Sequence, residues 1–178
     1  MRGIDDFQGL WRIERVIEDR LGGQRGAFEG EASLAPAGDH WLWSETGQLR
    51  LGAGAPVTAS RRYLWRAEPA GRIAVFFEDG RPFHSFDPAG RPEARHWCEP
   101  DDYQVAYDFS DWPDWRATWQ VRGPRKDYRM QSLHRRTCAR GRRGLLAPSG
   151  CALTPRDIWT LLRGKTPYPQ QCPNIPRG

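Results

Sequence analysis

The sequence predicts an all-β fold, a closed antiparallel up-and-down barrel of about eight to ten strands. A short N-terminal helical turn precedes it and a C-terminal helix follows. Three observations lead there. Short runs of alternating apolar and polar residues succeed one another from residue 10 to residue 136. Turn strings such as "EDGR", "DPAGRP" and "RGPRK" separate them. No long helical period interrupts the series, and closure removes the exposed edges that a ten-strand sheet would otherwise present.

Taken in order, "IDDFQG" from Ile4 reads as one helical turn, with Asp5 or Asp6 as cap and Gly9 as exit. "LWRIERVI" places Trp11, Ile13, Arg15 and Ile17 on one face, against Arg12, Glu14 and Val16. "AFEGEASL" opposes Phe28, Gly30, Ala32 and Leu34 to Glu29, Glu31 and Ser33, and Gly30 in mid-strand predicts a bend or a close backbone approach. Further strands are expected at "HWLWSE", "QLRL", "PVTASRRYLW", "RIAVFF", "RPFHSF", "EARHWC", "YQVAYDF", "WRATWQV" and "KDYRMQSLHRR", with "ETGQ" read as a turn between the first two. The barrel domain is therefore expected over 1–136. Residues 137–178 follow as an appendage of basic linker, helix and Pro-rich tail, the helix beginning at Thr154 with Pro155 in its first turn.

Composition narrows the function. Aromatic residues make up 12% of the 178, nine of them tryptophan, so a core is available despite an apolar fraction of only 38%. The formal charge of +5 gathers at Arg135, Arg136, Arg140, Arg142 and Arg143. Stacking aromatics belong to the strands and these cations to a coil, so nucleic acid is not expected as a partner. The sequence has no signal-like or membrane-spanning apolar run, and Cys98, Cys138, Cys151 and Cys172 form no close pair. A cytoplasmic setting with free thiols is expected, with a Cys151–Cys172 disulfide as the alternative. The short "IWTLL" stripe is expected to pack on the barrel wall, cover an opening, or join two subunits as a homodimer through the C-terminal segment.

"GLW", Gly9 to Trp11, follows the helical turn and opens the first strand. The arrangement resembles the lipocalin signature of calycin-type barrels. That resemblance implies that Trp11 plugs the closed end and that an Arg of the last strand, Arg135 or Arg136, packs across it. The strings "FEGEASL", "ETGQLRL", "RRYLW", "DGRPFHSFD", "HWCEPDDYQVAYDF", "WQVRGPRKDY" and "HRR" narrow the match. Over about Asp6 to Arg136 the chain resembles an uncharacterised bacterial family, domain-of-unknown-function family 6314, which implies a lipocalin-like barrel and assigns no activity.

Candidate site residues come from polar groups in phase with apolar ones. If Phe86 lies opposite Ala94, then His84 faces His96 with Cys98 two residues on, close enough to share a ligand. The spacing matches no standard zinc motif, so neither a metal nor a cofactor is expected. Arg61 is in phase with Tyr63 and Trp65, and Glu45 with Trp41 and Trp43. An internal Arg61–Glu45 bridge is one reading, and a ligand carboxylate held by Arg61 the other. Lys126, with Arg122, is expected at the mouth. The leading expectation is binding of a small, partly apolar, anionic molecule by Trp41, Trp43, Glu45, Arg61, Tyr63, Trp65, His84, His96, Tyr107, Trp119 and Lys126. The alternative is an acid–base enzyme, an isomerase, cyclase or lyase, whose catalytic group would be His84, His96, Tyr103 and Tyr107.

Overall fold

The computed structural model describes residues 2–137. The expected basic linker, helix from Thr154, Pro-rich tail and dimer contact through them lie outside the described residues. A 3-10 turn at Ile4–Phe7 leads into ten strands: β1 (Gly9–Asp19), β2 (Gln24–Ala37), β3 (His40–Leu51), β4 (Val57–Ala67), β5 (Ile73–Phe77), β6 (Pro82–Phe86), β7 (Glu93–Cys98), β8 (Asp101–Asp108), β9 (Trp115–Gly123) and β10 (Lys126–Thr137). All neighbouring pairs are antiparallel, and the sheet order is β6-β5-β4-β3-β2-β1-β10-β9-β8-β7. The ends of this order, β6 and β7, approach each other without a hydrogen-bonded ladder, so the barrel is nearly closed and keeps one seam. "ETGQ" is not a turn. It runs straight through β3, where Gly47 is paired with Gly30 of β2.

One end of the barrel is sealed by rings. Phe7 lies 5.0 Å from Trp112, 5.6 Å from Trp65 and 5.9 Å from Trp115, centroid to centroid. The Trp11 indole donates from Nε1 to the Phe7 carbonyl at 2.9 Å. Arg136, paired with Trp11 across the β1–β10 ladder, stands 5.1 Å over its ring and donates to the carbonyls of Asp6 and Gln8. Arg136 is thus the closing residue; Arg135 turns outward to Glu14. Gly9 has φ +118, a backbone open essentially to glycine alone, so the turn before Trp11 depends on it.

The β2–β3 pairing shows why Gly30 sits in mid-strand. A Cβ on Gly30 would meet Gly47 Cα at 2.7 Å and Phe28 Cζ at 2.8 Å. The opposed glycines leave the space in which the Phe28 ring lies down.

Candidate functional site

At the end opposite Trp11 the interior is open. A cavity of ≈ 370 Å³ reaches in from the turns that carry Leu21 and Arg125. Its walls include Ile17, Tyr63, Phe77, Phe83 and the cross-strand neighbours Trp119 and Met130. Phe83 stacks on Trp119 with centroids 5.2 Å apart and planes 6° from parallel, and on Tyr63 at 5.7 Å and 17°. Beside the cavity lies a second chamber of ≈ 60 Å³ that shares Ile17, Arg61 and Met130 with it and is bordered also by Arg15, Phe28, Glu45, Leu49, Ala59 and Ser60.

Three buried charges stand at the neck between the two. Glu45 on β3 is opposite Arg61 on β4, and Arg61 grips it with two bonds: Nε to Oε2 at 2.7 Å and Nη2 to Oε1 at 2.9 Å. Arg15 on β1 donates from Nη2 to Oε2 at 2.8 Å and from Nε to Ser132 Oγ at 2.7 Å. The Trp43 indole supplies a fourth donor, to Oε1 at 3.0 Å. Side-chain exposure is 6% for Arg15, 3% for Glu45 and 15% for Arg61, so all three are largely withdrawn from water. The Arg15 guanidinium lies 5.0 Å from the Phe28 ring, which the glycine pair allows to lie flat.

Burial alone would raise the Glu45 carboxyl, but Arg15 and Arg61 outweigh it and hold its pKa far below the ordinary value. Burial opposes charge on Arg61 as well, yet Glu45 outweighs it and pushes that pKa up. Arg15 is lowered, by burial first and then by repulsion from Arg61. A guanidinium keeps its proton in proteins, so the cluster carries two positive charges against one negative.

At the mouth, Lys126 Nζ donates to Tyr103 Oη at 2.9 Å and pairs with Asp101 at 2.6 Å. Burial lowers the Lys126 pKa, but the bonds to Asp101 and Tyr103 prevail and raise it. Arg122 of β9 is exposed and takes no part in the cavity.

The histidines lie elsewhere. β6 and β7 share no ladder, so the expected opposition of His84 and His96 is corrected: His84 is paired with Val75 and His96 with Tyr103. A register shift between Val75 and Phe76 breaks the alternation of β6. His84 Nε2 and Tyr107 Oη are hydrogen-bonded at 2.7 Å, while His84 Nδ1 has no partner among the described residues. Burial, then the nearby His96, lowers the His84 pKa to about 3, so the ring is neutral. Burial also lowers His96 and raises Tyr107. Cys98 is disulfide-bonded, which corrects the free thiol expected there and removes it as a thiolate ligand. No cluster of three metal-ligating side chains occurs among the described residues.

Of the residues singled out in the sequence, Arg61, Tyr63, Tyr103, Trp119 and Lys126 border the large cavity and Glu45 the small chamber. Trp43 and Trp65 are stacked at 5.2 Å in the core, and Trp41 packs against that core. His84, His96 and Tyr107 stand off the cavity lining, with Phe83 4.7 Å and Trp119 5.3 Å from the His84 ring. Phe83, Phe77 and Met130 were not anticipated on the wall, nor Arg15 at the neck. The signal for Arg15 was its phase with Trp11, Ile13 and Ile17.

A nearly closed antiparallel barrel, plugged by the Trp of a Gly-x-Trp and capped by an Arg of the last strand, fits a lipocalin-like fold. The chain belongs to the family of unknown function DUF6314, whose model matches residues 7–136. No curated protein and no solved structure matches it. No helix among the described residues is long and apolar enough to cross a membrane.

Proposed function

We propose that the barrel binds a small, partly apolar anion. The observation that carries this reading is the junction of an open, ring-walled cavity with a buried cluster of two arginines and one carboxylate. Apolar walls with a few convergent polar groups are the usual composition of a small-molecule site. The surplus positive charge reaches the cavity wall at Arg61, and Lys126, paired with Asp101, stands at the mouth. Binding is preferred to acid–base turnover because both histidines lie off the cavity lining, and a proton carrier must reach its substrate.

The test is native mass spectrometry of the full-length protein, followed by thermal shift against a panel of apolar acids. A retained or stabilising anion is expected, and Arg61→Met should weaken its hold. Protein that carries nothing and is stabilised by no member of the panel refutes the reading.

A further inference from the structure

We propose that the smaller chamber is a carboxylate-specific head-group site, so that the ligand sets its head against Arg15 and Arg61 and leaves its apolar body between Phe83, Trp119 and Met130. This deepens the binding reading and rests on it.

The argument starts from hydrogen-bond inventory. A carboxylate accepts at about four lone-pair positions. Glu45 has four donors: Arg15 Nη2, Trp43 Nε1, and Arg61 Nε and Nη2. Its acceptor capacity is filled. Each guanidinium carries five N–H groups. Arg15 commits two nitrogens, to Glu45 and Ser132, and Arg61 commits two to Glu45 with a further bond to the Tyr63 hydroxyl. Side-chain donors therefore outnumber side-chain acceptors at the neck, and Ser60 is the one other polar side chain bordering the chamber among the described residues. An acceptor placed in the space that both arginines border would meet the N–H groups they have left over.

Charge and volume select its type. The cluster stands one positive charge in excess, so a monoanion brings it to neutrality, whereas a phosphate dianion would bury a net negative charge. At roughly 10–15 Å³ per water-sized position, the ≈ 60 Å³ chamber holds a few oxygen atoms and no ring. A planar carboxylate also matches the fork of a guanidinium. The wider cavity, by contrast, has ring walls and little buried charge until Arg61 is reached.

Calorimetry on the full-length protein at pH 7.5 with 2-naphthoate, 2-naphthyl phosphate and 2-naphthamide separates the possibilities. The carboxylate should bind about 10- to 100-fold more tightly than the amide, the range for one charge-assisted hydrogen bond, and more tightly than the phosphate. Ala59→Leu, which fills the smaller chamber without replacing a charge, should reduce 2-naphthoate to the affinity of the amide. The ranking of the three probes on the wild-type protein is decisive even if that variant fails to fold. Phosphate binding as tight as carboxylate, or amide binding equal to both, overturns the head-group site while cavity binding stands. Three silent titrations overturn both.

Discussion

Glu45→Gln is the sharpest perturbation of this barrel. The amide has the shape of the carboxylate but replaces one oxygen with a donor nitrogen. If that nitrogen takes the Oε2 position it faces Arg15 Nη2 and Arg61 Nε; at the Oε1 position it faces Trp43 Nε1 and Arg61 Nη2. Either orientation sets a donor against two donors and leaves two buried guanidiniums without a counter-charge. Losing two charge-assisted hydrogen bonds costs about 3–6 kcal/mol, which agrees with about 3–5 kcal/mol for breaking a buried ion pair from one side. For a domain of this size that is a fall in Tm of roughly 10–20 °C. Chemical and thermal denaturation of wild type and variant measure it directly. The pH dependence supplies a second readout. The folded-state pKa of Glu45 is held below its ordinary value of 4.5, so its contribution is full above that pH and is lost as pH falls toward the depressed value. The wild-type advantage should therefore be level between pH 7 and pH 5 and shrink below about pH 4.5. A variant within about 1 kcal/mol of wild type at pH 7 would refute the reasoning, because an uncompensated buried pair cannot be that cheap.

Other consequences can be measured alongside. Burial lowers both His84 and His134 to about 3, so the unfolded chain binds two protons that the fold refuses. Stability should fall between pH 6 and pH 4 by about 1.4 kcal/mol per pH unit for each histidine. His134→Phe, which preserves the parallel stack on Trp115 at 3.6 Å, should remove one such share from the slope; an unchanged slope would contradict it. Arg136→Met removes the cation over Trp11 and two hydrogen bonds to carbonyls, and should cost about 1–3 kcal/mol in urea unfolding. Gly47→Ala puts a Cβ 2.6 Å from Gly30 Cα and 2.7 Å from Phe28 Cζ, and should cost at least about 1–3 kcal/mol while displacing the ring under Arg15.

The strands and their order were legible because each inward face is a simple alternation and each connection is short. β1 shows it best, with Trp11, Ile13 and Arg15 buried on one side and Arg12 and Val16 exposed on the other. The Glu45–Arg61 pair was legible for the same reason, since two in-phase charges on neighbouring strands meet across the ladder. "ETGQ" misled because a polar string with glycine has the composition of a turn. Gly47 is there instead to oppose Gly30 under the Phe28 ring, a three-dimensional demand that composition does not express. The seam was illegible too. Alternation says that β6 and β7 exist, not that the ladder stops between them, and the register shift beside Phe76 moves Phe83 into the interior together with His84. A tempting pair of histidines thus became two separate residues behind an aromatic wall. Arg15 announced its face but not its reach to Glu45, two strands away.

The inward side of β1 also explains why the charges stand where they do. From the sealed end it runs Trp11, Ile13, Arg15, Ile17 and Asp19, so the interior passes from rings through a buried cation to the open mouth. Apolar residues at Arg15, Glu45 and Arg61 would fill the neck with equal or better stability, because exchanging a buried ion cluster for well-packed hydrophobes is often neutral or favourable. Stability therefore gives no reason for a second arginine against one carboxylate. The proposed monoanion would give one, since it would neutralise the excess and occupy the chamber that Phe28 and Ala59 border. The binding energy then appears as folding energy: at a ligand concentration of 100 Kd the loaded barrel gains about 2.7 kcal/mol over the empty one. Neutral molecules that reach only the outer cavity forgo the charge interaction, and at equal concentration they should stabilise the barrel less.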